Sequence, residues 1–325
     1  MSHSYARVVT SALEHPWALT KPMCLIVAEV LARRIAGQQL SDEVIQTRIA
    51  MAVEGKELHA AKPQLLEETV ADTDAGMTAV LLVAGLITPR GDAFDEASGM
   101  TSAERIGNEL LALQGDDRVT RIVLDVDSPG GNVAGITELA AVVRSVSATK
   151  RLVAVANHEM GSAAYWIASG ATEIVASPSS MVGSIGVFSI HKDISAMLEK
   201  LGVNVTLISA GKFKAEGAEH EPLTDIAEEH IQATVDRMFT AFTGDVATGR
   251  GVTRSEVVDG FGQGLVVSAQ EGLEAGMVDK VATMRDVLAE APPRRQGGTL
   301  TASASRPDDV DLRTRRTRLA RARAV

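Results

Sequence analysis

Short runs of apolar residues, nearly unbroken by polar ones, recur through the middle of the chain: Ala79–Ile87, Arg121–Val126, Leu152–Ala156, Glu173–Ala176, Val203–Ile208 and Leu265–Val267. Stretches with helical spacing separate them: Ser102–Leu113, Val133–Val146, Ser162–Ser169, Ile194–Leu201 and Thr224–Val246. In the last of these, Ile231, Val235, Met238, Phe239 and Phe242 fall on one helix face. Strands alternating with helices specify an α/β domain with right-handed crossovers. Strands that are apolar at nearly every position belong to a sheet covered on both faces.

This pattern occupies residues 73–291. Residues 1–72 read as a helical extension: an amphipathic stretch surrounds Leu25, Ile26, Ala28, Val30 and Leu31, and Ser41 caps a second pattern running through Ile45, Ile49 and Val53. Residues 292–325 hold Pro, Gly, Ser and many Arg with few large apolar residues, so they are expected to be disordered. The net charge of −10 is unevenly spread, because that tail is basic and the body correspondingly more acidic. An acidic body argues against nucleic-acid binding by the main domain. The one cysteine, Cys24, excludes an internal disulfide framework and sits among apolar residues. The first residues lack the apolar core of a secretory signal, and the run Met77–Ile87 is too short to cross a bilayer. The expectation is a cytoplasmic protein that does not engage the membrane.

In open α/β sheets, sites form where strand ends meet helix starts. Three such junctions stand out. The sequence Asp127-Ser128-Pro129-Gly130-Gly131-Asn132 follows one strand, and its paired glycines leave backbone N–H groups open to a developing oxyanion; an ordinary tight turn would read the same way. The sequence Gly161-Ser162-Ala163-Ala164-Tyr165-Trp166 follows the next strand. Ser162 stands at a helix start among small neighbours, either as a nucleophile favoured by the helix dipole or as a simple N-cap. The sequence Gly211-Lys212-Phe213-Lys214 follows a later strand. A lysine acts as a base only where desolvation helps it lose its proton. His158 and His191, with Asp127 or Asp193, offer a rival Ser-His-Asp arrangement. Neither His-Glu-x-x-His nor Cys-x-x-Cys occurs, so neither a metal nor any other cofactor is expected.

Taken together and in order, these junctions and the segment Ala176-Ser177-Pro178-Ser179-Ser180-Met181-Val182-Gly183-Ser184-Ile185-Gly186-Val187 resemble the signal-peptide-peptidase-A family of serine peptidases, within the Clp protease/crotonase superfamily. The resemblance runs from about Met77 to Ala291. It implies a crotonase/ClpP-like fold of repeated ββα units, Ser162 as nucleophile and Lys214 as general base. It also implies an oxyanion and substrate site built from Gly130, Gly131, Ala163 and Ser184. Members assemble into rings whose serine and lysine can come from neighbouring subunits, so a homo-oligomer acting on protein substrates is expected. The amino-terminal stretch, with Pro16-Trp17-Ala18-Leu19 and Arg33-Arg34-Ile35-Ala36-Gly37, resembles the tailed-phage capsid-assembly branch. That branch degrades scaffolding protein inside the procapsid, and Arg294–Val325 would then be a docking or self-cleaved segment. Alternatives within the same resemblance are a peptidase of the cellular type without its anchor and an idle assembly scaffold. A crotonase-type thioester enzyme shares the oxyanion logic.

Overall fold

The computed structural model describes residues 16–21, 64–66, 76–91 and 100–291. The helical patterns expected before residue 73, Cys24, and the basic tail lie outside them. The strands are β1 (Trp17–Leu19), β2 (Gln64–Leu66), β3 (Met77–Ala84), β4 (Leu86–Thr88), β5 (Met100–Ser102), β6 (Val119–Ser128), β7 (Gly130–Asn132), β8 (Arg151–Gly161), β9 (Glu173–Ala176), β10 (Met181–Gly183), β11 (Val266–Ser268) and β12 (Lys280–Val281). The helices are α1 (Ala103–Gly115), α2 (Ile136–Ser147), α3 (Ala163–Ala168), α4 (Ser195–Lys200), α5 (Asp225–Arg250), α6 (Arg254–Gly260), α7 (Ala269–Glu274) and α8 (Met284–Ala289).

The main sheet has the order β11-β10-β8-β6-β3-β2, and its inner neighbours run parallel. Strand β8 has two partners on one side: Val153–Ala156 pair with β9, and Glu159–Gly161 pair with β10. The expected double burial is present. Ile122, Leu124, Val126, Leu152, Ala154 and Ala156 join the large core beneath α1, α2, α3 and α5. Val123, Val153, Val155 and Val175 point the other way and pack with Val287 of α8. Arg121 shares that second face and is 1% exposed. Its guanidinium donates to Thr78 Oγ1 and to the Val287 and Glu290 carbonyls, so its charge serves the carboxyl end of α8.

A second, small sheet of order β1-β7-β4-β5 builds the site. Gly85, at φ 67°, turns the chain from β3 into β4, so the single strand expected over Ala79–Ile87 divides between the two sheets. The Gly130–Gly131 segment, read from the sequence as a turn, is the inner strand β7. It pairs with β1 on one edge and with β4 on the other. Glycine is required there: a Cβ on Gly131 would stand 1.9 Å from the Ile87 carbonyl oxygen. The expected strand Val203–Ile208 has no partner among the described residues. It runs as an exposed segment without regular secondary structure between α4 and α5.

Candidate active site

Ser162 follows β8 and opens α3 with φ 54° and ψ −115°, a conformation L residues rarely hold. Its amide donates to the Gly183 carbonyl at 2.6 Å, and its own carbonyl accepts from Trp166 N at 2.9 Å. The helix it starts is buried throughout. Trp166 stacks on Phe242 of α5, with ring centres 4.5 Å apart. The Trp166 indole N–H also donates to Asp245 Oδ2 at 2.7 Å. Arg144 of α2 approaches the other Asp245 oxygen at 3.0 Å. Three helices therefore brace the turn and hold its strained backbone in place.

The Ser162 side chain makes no N-cap hydrogen bond to α3. Its Oγ faces the Gly186 carbonyl at 3.5 Å, at the outer limit of a hydrogen bond. This disposes of the N-cap reading of Ser162. Ser184 follows Gly183, whose carbonyl takes the Ser162 amide; it is 5% exposed and it too has a positive φ of 54°. Its amide donates to Leu265 O at 2.8 Å, and its Oγ donates to Leu19 O at 3.4 Å.

Gly130 has φ 103°. A Cβ there would stand 2.2 Å from Ala18 O and 3.0 Å from both Ala163 N and Gly161 O. Strand β7, β1 and the Ser162 turn are thus in direct contact. The Gly130 N–H donates to Ser128 Oγ at 3.2 Å, and that hydroxyl donates to Gly85 O at 2.6 Å. Two backbone donors lie near the turn: Ala163 N–H, which belongs to the first helical turn and has no intrahelical acceptor, and Gly131 N–H on β7, which the register directs at the Ala18 carbonyl. Beside the Gly186 carbonyl lies a cavity of about 460 Å³, walled by Ile185, Val187, Val235, Phe239 and Val257, with Asp236 and Asp259 among its polar groups. Its walls suit an apolar side chain.

The structure gathers Ser162, Ala163, Gly130, Gly131 and Ser184. It does not join Lys214 to them. Lys214 sits on an exposed turn closed by Lys214 N–H to Gly211 O at 3.1 Å. Among the described residues its ammonium has no hydrogen bond or ion pair, whereas Lys212 lies over the Phe213 ring at 4.8 Å. Of the rival histidines, His158 has its side chain 63% exposed, with Nδ1 3.5 Å from Asp127 Oδ2. His191 buries an Nε2 that makes no hydrogen bond among the described residues. Sequence reasoning missed Thr20 and Glu159. Thr20 hydrogen-bonds Glu159, and its methyl stands 2.3 Å from where a Gly161 side chain would begin. Burial raises the Glu159 carboxyl above its ordinary range; the Thr20 hydrogen bond opposes this and the nearby Asp127 charge adds to it. No local pattern flagged this pair, because its partners are more than a hundred residues apart.

Residues 144–296, which span Ser162, Ser184 and Lys214, match Peptidase family S49. This chain belongs to peptidase family S49. Relatives of this chain include capsid assembly protease C of Escherichia phage lambda, 34% identical over 72% of this chain and 56% of its own length. Head-tail preconnector protein GP5 of Enterobacteria phage P21 is 31% identical over 65% of this chain and 42% of its own. The chain therefore spans about half the length of these curated relatives. Among solved structures, ClpP1 of Listeria monocytogenes aligns at 15% identity with a TM-score of 0.40, covering 64% of this chain and 94% of that one. No helix among the described residues is long and apolar enough to cross a membrane.

Proposed function

We propose that the chain is a serine endopeptidase in which Ser162 attacks the peptide carbonyl and Lys214, brought in by a neighbouring copy, takes the serine proton. The observation that carries this reading is the Ser162 turn. It is a strained, fully buried serine that caps nothing and stands beside the Gly131 and Ala163 N–H groups, inside the segment matched to the peptidase family. Such turns keep their strain where the surroundings over-determine it, and the hydroxyl is thereby aimed rather than free.

In this mechanism a neutral Lys214 accepts the Ser162 proton and the oxygen adds to the substrate carbonyl. Gly131 N–H and Ala163 N–H stabilise the tetrahedral oxyanion. The leaving amine takes the proton from the lysine, and water then hydrolyses the acyl-enzyme. Lys214 is supplied by an exposed arm. Leu201, Val203, Val205, Leu207, Ile208 and Phe213 are all between 45% and 94% exposed, with no partner strand of their own among the described residues. An apolar strand of this kind is a template for pairing with another chain. Docking it on a neighbour would strip water from the lysine, the condition under which an amine becomes a base. Capsid and scaffolding proteins of a phage head are the proposed substrates, with the procapsid and host cytoplasm as the place of action; the similarity to a phage capsid assembly protease supports this reading.

Co-expression with a candidate scaffolding protein tests the reaction. The native chain should cleave it; Ser162→Ala and Lys214→Ala should not. Co-expressing the two inactive variants tests the shared site. Mixed assemblies regain cleavage if serine and lysine come from different copies and stay silent if both must lie in one chain. Equal cleavage by all three chains would end the proposal.

A further inference from the structure

We propose that residues 16–20 occupy the peptide-binding groove of this enzyme as a substrate-like strand, which an incoming substrate must displace. The inference rests on the serine-peptidase reading for the meaning of the groove, but its evidence is the hydrogen bonding of β1. The segment is extended and bonded along both edges. On one edge it runs antiparallel to β7, with Trp17 opposite Asn132, Ala18 opposite Gly131 and Leu19 opposite Gly130. Thr20 N–H donates to Pro129 O at 2.9 Å and Val133 N–H to Pro16 O at 3.3 Å. Antiparallel ladders alternate between bonded and non-bonded pairs, so the pair between these two, Ala18 with Gly131, is the one that exchanges both bonds. The Gly131 N–H is therefore directed at the Ala18 carbonyl. On the other edge, Trp17 and Phe188 exchange hydrogen bonds of 2.8 and 3.0 Å, and Ser184 Oγ donates to the Leu19 carbonyl.

Peptides are commonly recognised by adding a strand to an exposed sheet edge, with the main chain supplying affinity. Here the edge of β7 carries an oxyanion donor, and the strand on it belongs to the same chain. Its carbonyl at Ala18 sits where a scissile carbonyl would have to sit, against Gly131 and beside Ala163. Thr20 covers Gly161, the residue before the nucleophile. Ser162 is consequently 0% exposed, and Trp17 to Thr20 are at most 5% exposed. A nucleophile this enclosed cannot meet a protein chain until the covering strand leaves. The strand also describes the substrate: an extended segment with a small residue opposite Gly131, where Ala18 is wholly buried, and large apolar residues on either side of it.

The test measures groove occupancy apart from catalysis. A fluorescein-labelled peptide of sequence Pro-Trp-Ala-Leu-Thr is titrated by anisotropy against Ser162→Ala and against Ser162→Ala combined with Ala18→Pro. Proline removes the N–H that Ala18 gives to Gly131 and places a ring where no space exists. The double variant should bind at least about tenfold tighter, because it no longer competes with itself. Equal binding by the two overturns the proposal. Deuterium exchange on the unsubstituted chain decides the matter should Ala18→Pro fail to fold. The Ala18 and Gly131 amides should be protected, and saturating peptide should release Ala18 while Gly131 stays covered. Protection of Ala18 unchanged by bound peptide overturns the proposal equally. Labelling of Ser162 by a fluorophosphonate, run on the native chain and on Ala18→Pro, separates the two claims. Peptide binding released by Ala18→Pro with no labelling in either chain would leave the strand assignment standing and remove the peptidase reading.

Discussion

The turn at Ser162 and the arm at Lys214 are built in opposite ways. The backbone groups of Ser162 itself have partners within the chain: Gly183 O receives its amide, Trp166 N–H binds its carbonyl, and α2, α3 and α5 are tied together behind it through Asp245. Residues 201–214 are exposed without interruption, and the alternating Val203, Val205 and Leu207 have no partner strand among the described residues. One chain thus completes the half of the site that must be rigid. In the proposed mechanism, the half that supplies the base is completed by assembly. On the proposed reading, a peptidase built this way would be inert as a lone chain, with its activity set by concentration and by whatever displaces residues 16–20.

Removing the nucleophile tests the rigid half and has the largest expected effect. Ser162→Ala should lower kcat for a cleaved peptide on the order of 10⁴-fold or more, with the thermal midpoint nearly unchanged, because the hydroxyl caps nothing and alanine keeps the same strained backbone. A variant with substantial residual activity would mean that the turn holds no nucleophile. The loose half is tested by Ile208→Asp. Ile208 is 94% exposed, so the substitution should leave single-chain stability within about 0.5 kcal/mol. It should nevertheless reduce activity as far as Lys214→Ala does and shift the light-scattering mass towards the monomer. Full activity in a monomeric Ile208→Asp would break the contrast between the two regions. Next in size is Asp245→Ala, which removes the acceptor of the Trp166 indole and the counter-charge of Arg144. It should cost about 2–4 kcal/mol in denaturant unfolding, with assembly through the arm retained if the protein is kept below its transition.

These two regions also differ in how far the sequence disclosed them. The parallel core was legible because buried strands such as Leu152–Ala156, apolar at every position, and Ile122–Val126, apolar at all but Asp125, give a local signal. Ser162 was legible as a strand-to-helix junction, but its freedom from capping duty needed coordinates. Strand β1 was not legible: three residues, Trp17–Leu19, take their partners from Asn132 and Phe188, and nothing local encodes that pairing. Strand β7 hid behind two glycines, which disfavour strands and are tolerated here because Ile87 and Ala18 approach too closely for a side chain. The segment Val203–Ile208 misled in the opposite sense. Its alternation specifies a strand, yet the described residues provide no partner strand for it, and sequence periodicity cannot say whether a partner lies in the same molecule.

Acid should erode the braced region and leave the arm alone, the smallest of the expected effects. Arg250 closes the far end of α5 by donating to both Asp279 oxygens at 2.6 and 2.9 Å, and the Ile174 amide donates to Asp279 Oδ2 at 2.8 Å. Burial alone would raise the Asp279 carboxyl, but these hydrogen bonds and the adjacent guanidinium outweigh it and hold the group below its ordinary 3.8. A carboxylate depressed by folding stabilises the native state fully above its unfolded value. That contribution disappears as pH falls through the lower, folded value, because the unfolded chain binds the proton first. The urea midpoint of the native chain should therefore fall as pH drops below about 4, and that of Asp279→Asn should be lower at neutral pH and change less. The two should converge in acid, while assembly through residues 201–214, which hold no carboxylate, should keep the same pH profile in both proteins. Midpoints that stay parallel down to pH 2 would show that the Arg250 clamp does not hold α5 against the core, and that the bracing of Ser162 depends on the Asp245 contacts alone.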